Sequence, residues 1–176
     1  MKIDLYDAHR KMTAHLFPTF SSEDERFLSL ALCGEVGELI EMYVSGDTYA
    51  LADTHDALAS IRIYLELLAK CFAIEGDKLM VEASPGLAAL TDERLLLGLC
   101  AQCGLLANLI KKRWRDGVER EGECRVLLIE IRNYVEQFAY RFGLEGSKLD
   151  DAVTVKLERV AYKFRLLPGV EQDHRS

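Results

Sequence analysis

Apolar positions recur every three or four residues along nearly the whole chain, the spacing that lines one face of an α-helix. Alternating runs of β-branched residues bounded by turns are missing, so the pattern predicts an all-α protein. Residues 3–16 predict a short amphipathic helix stopped by Pro18. Ser22-Glu-Asp-Glu25 reads as a capping box, which starts a helix at about residue 23. That helix carries Leu28, Leu32, Val36, Leu39 and Tyr43 inward and ends at Gly46. Asp47 then caps a third helix, with Leu51, Leu58, Ile61, Leu65, Leu68 and Phe72 on one face, stopping near Gly76. Residues 77–90, which include Ser84-Pro-Gly86, break the periodicity and predict a linker. Thr91, followed by Asp92 and Glu93, opens a helix ending near Gly117; another spans about 120–143, and Ser147 opens a last one ending before Pro168.

An internal repeat organises these elements. Residues 61–79, beginning Ile61-Arg-Ile-Tyr64, match residues 131–149, beginning Ile131-Arg-Asn-Tyr134, at an offset of seventy. Upstream, Leu30-Ala-Leu-Cys-Gly-Glu-Val-Gly-Glu-Leu39 matches Leu97-Gly-Leu-Cys-Ala-Gln-Cys-Gly-Leu-Leu106 at an offset of sixty-seven. The chain reads as one domain, residues 1–176, built from tandemly duplicated helical hairpins at about 24–80 and 91–164 that pack as a four-helix-type bundle about a pseudo-twofold axis. The copies differ in chemistry: where the first has Glu35, Glu38 and Glu41, the second has Gln102, Leu105 and Asn108.

Composition narrows the function classes. With 22 basic and 29 acidic residues the net charge is −7, which argues against a broad positive surface for nucleic acid. No charge-free apolar run reaches about 18 residues, so no membrane span is expected. Five cysteines, an odd number behind an acidic start without a targeting pattern, suggest reduced thiols in a cytoplasm. Cys100-Ala-Gln-Cys103 has neither a second pair nor a nearby histidine, and the cysteines are expected to be small core residues.

Glu35 and Glu38 are three apart, as are Asp53 and Asp56, so each pair projects from one face of its helix. A turn at Gly46 would fold the two helices antiparallel and bring the four carboxylates to similar height. Such a group repels itself unless a hard divalent cation, Mg2+ or Mn2+, neutralises it. Gly34 and Gly37, mid-helix where glycine costs roughly 1 kcal/mol relative to alanine, suggest close approach of another helix or a ligand.

Gly34-Glu-Val-Gly-Glu-Leu-Ile-Glu41 followed by Asp53-Thr-His-Asp56 resembles the ExxE and ExxD motifs of the MazG-like, all-α nucleoside triphosphate pyrophosphohydrolases. Leu106-Ala-Asn-Leu-Ile-Lys-Lys112 and Phe142-Gly-Leu144 are similar to framework segments of that family, and the resemblance covers residues 24 to about 164. It implies magnesium-dependent cleavage of a nucleoside triphosphate to monophosphate and pyrophosphate, in a cytoplasmic protein that dimerises or completes its bundle within one chain. On that footing Glu35, Glu38, Asp53 and Asp56 hold metal, with Glu38 and Glu41 serving the attacking water. Lys111, Lys112 and Arg115, in the densest basic run, together with Lys156, Arg159 and Lys163 on the last helix, are candidates for the phosphates. The sequence departs from the family by having aspartate at the start of its second motif. Aligned through the repeat instead, Ala57 and Ser60 take the ligand positions of the first half and Glu130 stands in the second.

Overall fold

The computed structural model describes residues 10–11, 24–45, 51–74 and 85–163, and all regular structure among them is helical. The elements are α1 (Glu25–Ser45), α2 (Leu51–Cys71), α3 (Pro85–Ala88), α4 (Asp92–Asp116), α5 (Glu121–Arg141) and α6 (Ser147–Lys163). Most of the first helix expected over 3–16, the Ser22 and Gly46–Asp47 signals, Gly76 and the tail around Pro168 lie outside the described residues. α1 begins two residues later than the capping box implies, because the Asp24 carboxylate accepts the Arg26 amide at 2.9 Å. The expected linker contains the single turn of α3. α4 follows its punctuation: Thr91 accepts the Arg94 amide, and Gly117 closes the helix at φ 64°.

The two copies of the repeat end α2 and α5 identically. The Ile74 amide reaches back to the Ala69 carbonyl and the Ala73 amide to that of Lys70; Leu144 and Gly143 do the same to Ala139 and Tyr140. This is the Schellman arrangement, sealed by the buried side chains of Ile74 and Leu144. Its left-handed position is glycine in one copy, Gly143 at φ 79°, and alanine in the other, Ala73 at φ 50°.

α1 packs antiparallel on α2 and α4 on α5, while α1 also meets α4 and α2 meets α5, so the four long helices form a closed square. α6 lies on the outer side of α2. One continuous core runs through both hairpins and α6, from Leu28 and Leu39 through Leu58, Leu65 and Leu99 to Phe138 and Leu157. Close packing is tightest at Gly98, where an added Cβ would lie 2.4 Å from the Tyr134 ring. α4 has an 18-residue window of mean hydropathy 1.3, long and apolar enough to cross a membrane by composition alone, and only 33% of that window is buried. Leu95, Leu99, Leu106 and Ile110 on its inner face pack into the core, while Leu97 and Leu105 face outward.

Two arginines and two glutamates, equivalent across the repeat, meet where α2 crosses α5. Arg62 pairs with Glu66 at 2.9 Å on its own helix, and Arg132 pairs with Glu136 on its own. Arg132 also reaches Glu66 at 3.0 Å, and Arg62 stands 3.9 Å from Glu136 and 3.4 Å from Asp150 of α6. Both arginines are buried. Burial pushes the carboxyls of Glu66 and Glu136 up, against the pull of the Arg62 charge.

Two stability outcomes follow from these contacts. Ala73→Gly relieves a left-handed Cβ worth about 1–2 kcal/mol and loosens the unfolded chain by about 0.4–1 kcal/mol, so the midpoint of urea unfolding rises slightly. Arg132→Met leaves Glu66 to Arg62 alone and takes from Glu136 its nearest cation, and it lowers the unfolding free energy by about 1–3 kcal/mol, read by the same titration.

Candidate functional site

The acidic residues of α1 meet α2 and α6 at one edge of the bundle. Asp56 and Ser60 are four apart and share a face of α2, and Lys156 and Arg159, three apart, share a face of α6. Lys156 Nζ donates to Asp56 Oδ2 at 2.7 Å, to the Asp56 carbonyl at 3.2 Å and to the Ser60 hydroxyl, while Arg159 takes Oδ1 of the same carboxylate. Ser60 in turn lies near enough to Glu35 of α1 to favour its ionised form. The result is a chain of polar groups, Glu35 to Ser60 to Lys156 to Asp56 to Arg159, that ties three helices together.

Each titration reflects its place in that chain. Burial raises the Glu35 carboxyl, and the like charges of Glu38 and Asp56 add to this, outweighing the Ser60 hydroxyl and the Lys156 charge. Burial also opposes ionisation of Asp56, but hydrogen bonds and charge from Lys156 and Arg159 carry it below the usual carboxylate range. Tyr64, one turn along α2 from Ser60, is pushed up to about 12 by burial and by the charges of Glu35 and Glu38.

Of the four carboxylates expected to hold metal, the structure brings Glu35 and Asp56 to the same cluster. Glu38 stands at its exposed edge, and Asp53 is exposed in the first turn of α2, as is Glu41 on α1. Ser60, buried on α2, lies beside Glu35, and Asp56 acts on the same carboxyl from one turn away. Oxygen donors suit a hard divalent ion. Among the described residues, however, no three His, Cys, Asp or Glu side chains gather as a metal set, and an ammonium is hydrogen-bonded among the donors. A resident Mg2+ or Mn2+ does not fit this arrangement.

The basic candidates divide. Lys156 and Arg159 are in the cluster, whereas the run from Lys111 to Arg115 ends α4 beside the start of α1, where Arg113 pairs with Glu25 at 2.6 Å. Ten residues of helix separate Glu25 from Glu35, about 15 Å, so Lys111, Lys112 and Arg115 stand away from the acids. Trp114 belongs to that far end as well, giving its indole N–H to Glu25 at 3.0 Å under the Arg26 guanidinium. Gly34 and Gly37 correct the expectation of a close helix: no protein atom lies within 4 Å of where their Cβ atoms would be, and they face open space.

In the second half Gln102 replaces Glu35, and its Oε1 is buried with no hydrogen-bond partner. Leu105 is exposed, and Asn108 and Glu130 are half-buried. His55 turns from the carboxylates to the Phe142 carbonyl at 2.9 Å. Cys103 and Cys124 are buried as expected, but Cys100 is exposed. The Arg62–Glu66–Arg132–Glu136 group went unread in the sequence, although an Arg and a Glu four residues apart, repeated at the same offset within two apolar helices, is the signal that marks it. Comparisons with protein-family models, curated proteins and solved structures give no match.

A carboxyl with a raised folded value favours the protonated folded state, so its contribution to stability is lost as pH climbs from its unfolded value through the folded one. Glu35→Gln removes that loss. Urea titrations of wild type and variant should therefore show the variant gaining on the wild type as pH rises from 4 to 7 through the region above the ordinary glutamate value of 4.5; a constant difference would mean that Glu35 ionises freely.

Proposed function

We propose that this chain is a MazG-like helical bundle that binds a nucleoside triphosphate or a related phosphate ester without hydrolysing it. The observation that carries this reading is the ammonium of Lys156 on Ser60 and Asp56, opposite Glu35, where metal-dependent hydrolysis needs a divalent ion. An ammonium neutralises carboxylates but coordinates no water, so it supplies no activated nucleophile. The same cluster offers one accessible cation to an anion. Arg159 is 62% exposed at the mouth, and a phosphate oxygen arriving there takes the place of Asp56 Oδ1 on its guanidinium.

A second reading, magnesium-dependent release of pyrophosphate, draws support from the like charges of Glu38 and Asp56 that act on Glu35. One experiment separates the two. Pyrophosphate release and thermal shift are measured over a panel of ribo- and deoxyribonucleoside triphosphates with and without Mg2+, for wild type, Glu38→Gln and Arg159→Ala. The binding reading expects no release, a thermal shift that needs no metal, and loss of that shift in Arg159→Ala. Metal-dependent release abolished in Glu38→Gln would establish hydrolysis instead.

A further inference from the structure

The mismatch between a metal site and this cluster has a specific physical content. Lys156 Nζ makes three contacts in a space bounded by two helices: Asp56 Oδ2 at 2.7 Å, the Asp56 carbonyl at 3.2 Å and the Ser60 hydroxyl. An ammonium has three donors, and all three are used. Ser60 is buried and passes the polarity on to the half-buried Glu35, so the positive charge sits between two carboxylates on different helices. Arg159 satisfies the remaining oxygen of Asp56. Lys156 itself is mostly shielded, with its side chain 18% exposed.

We propose that Lys156 is the resident cation of this cluster, a tethered substitute for a divalent ion, and that its charge is what keeps a latent metal site of Glu35, Asp56 and Ser60 closed. Like charges exclude each other at this range, so a divalent ion enters only when the ammonium leaves. Because Lys156 is carried on α6, the cluster also couples metal entry to the seating of that helix on α2. The inference shares its site with the proposed binding function, but it is read without nucleotide, so either fails independently of the other.

The test is Mn2+ titration by calorimetry, with the melting temperature followed in parallel, on wild type, Lys156→Met and Lys156→Gln. Methionine keeps an aliphatic stem beneath α6, which guards the fold while removing the charge. Both variants should bind Mn2+ at least about tenfold more tightly than wild type, one like charge having left the cluster, with a matching rise in melting temperature. Adding Glu35→Gln to either should abolish the gain. Equal affinity in wild type and variants, or a gain that survives Glu35→Gln, overturns the proposal. In the wild type alone, amine acylation followed by mass spectrometry provides a second reading that needs no variant to fold: Lys156 should react at least about tenfold more slowly than exposed Lys111, its lone pair being withheld by hydrogen bonds to anionic acceptors. Equal rates would show that the ammonium is not held in the cluster.

Discussion

The buried charges between α2 and α5 govern the rest of the bundle. A guanidinium removed from water must find carboxylates at one geometry, and here each arginine is served by the glutamate one turn along its own helix, while Arg132 also takes Glu66 of the opposite copy. Apolar contacts tolerate sliding, since one leucine ridge fits several grooves; a charge pair in a dry seam does not. A slip of one turn would keep the two pairs within each helix but break the Arg132–Glu66 contact between them, so this group favours one register of the two central helices. α1 and α4 then close the square, and α6 is aligned at one end by Asp150 against Arg62 and at the other by Lys156 and Arg159 against Asp56.

That register has a consequence at the acidic edge. With α2 held where it is, Ser60 comes beside Glu35, and the two aspartates lie a turn or more nearer the start of the helix. Asp56 is close enough to be drawn into the cluster through α6, and Asp53 is not. The site is thus a three-helix polar lock in which charge is balanced internally, and its chemistry follows from that balance: a raised Glu35, a lowered Asp56, a shielded Lys156 and one cation, Arg159, at an exposed rim.

Duplication supplied the frame and then diverged. The α2 and α5 ends keep the same backbone hydrogen bonds although one uses alanine at the left-handed position, and Tyr64 and Tyr134 keep corresponding places beside different neighbours, glutamates for the first and Gly98 for the second. Gln102 and Leu105 stand where the first copy has Glu35 and Glu38, so the pseudo-symmetric partner of the polar lock lacks its two carboxylates on α4 and carries one unsatisfied amide oxygen.

Much of this was legible in the sequence because it is local. Periodicity of 3.6, helix caps such as Thr91 and Gly117, and a repeat at constant offset depend on residues near one another in the chain, and they set the helical class, the boundaries and the hairpin duplication. The pairing of acidic faces was legible only as far as helix geometry reaches: it put Glu35 with Glu38 and Asp53 with Asp56, each on one face. Which of them meet, and what stands between them, depends on the register of one helix against another and on the docking of α6, and both are decided by long-range ion pairs that spacing along the chain does not encode. The same limit explains Gly34 and Gly37. Glycine in a helix states that a side chain is absent, and only the tertiary structure decides whether a neighbour or open space lies beyond it.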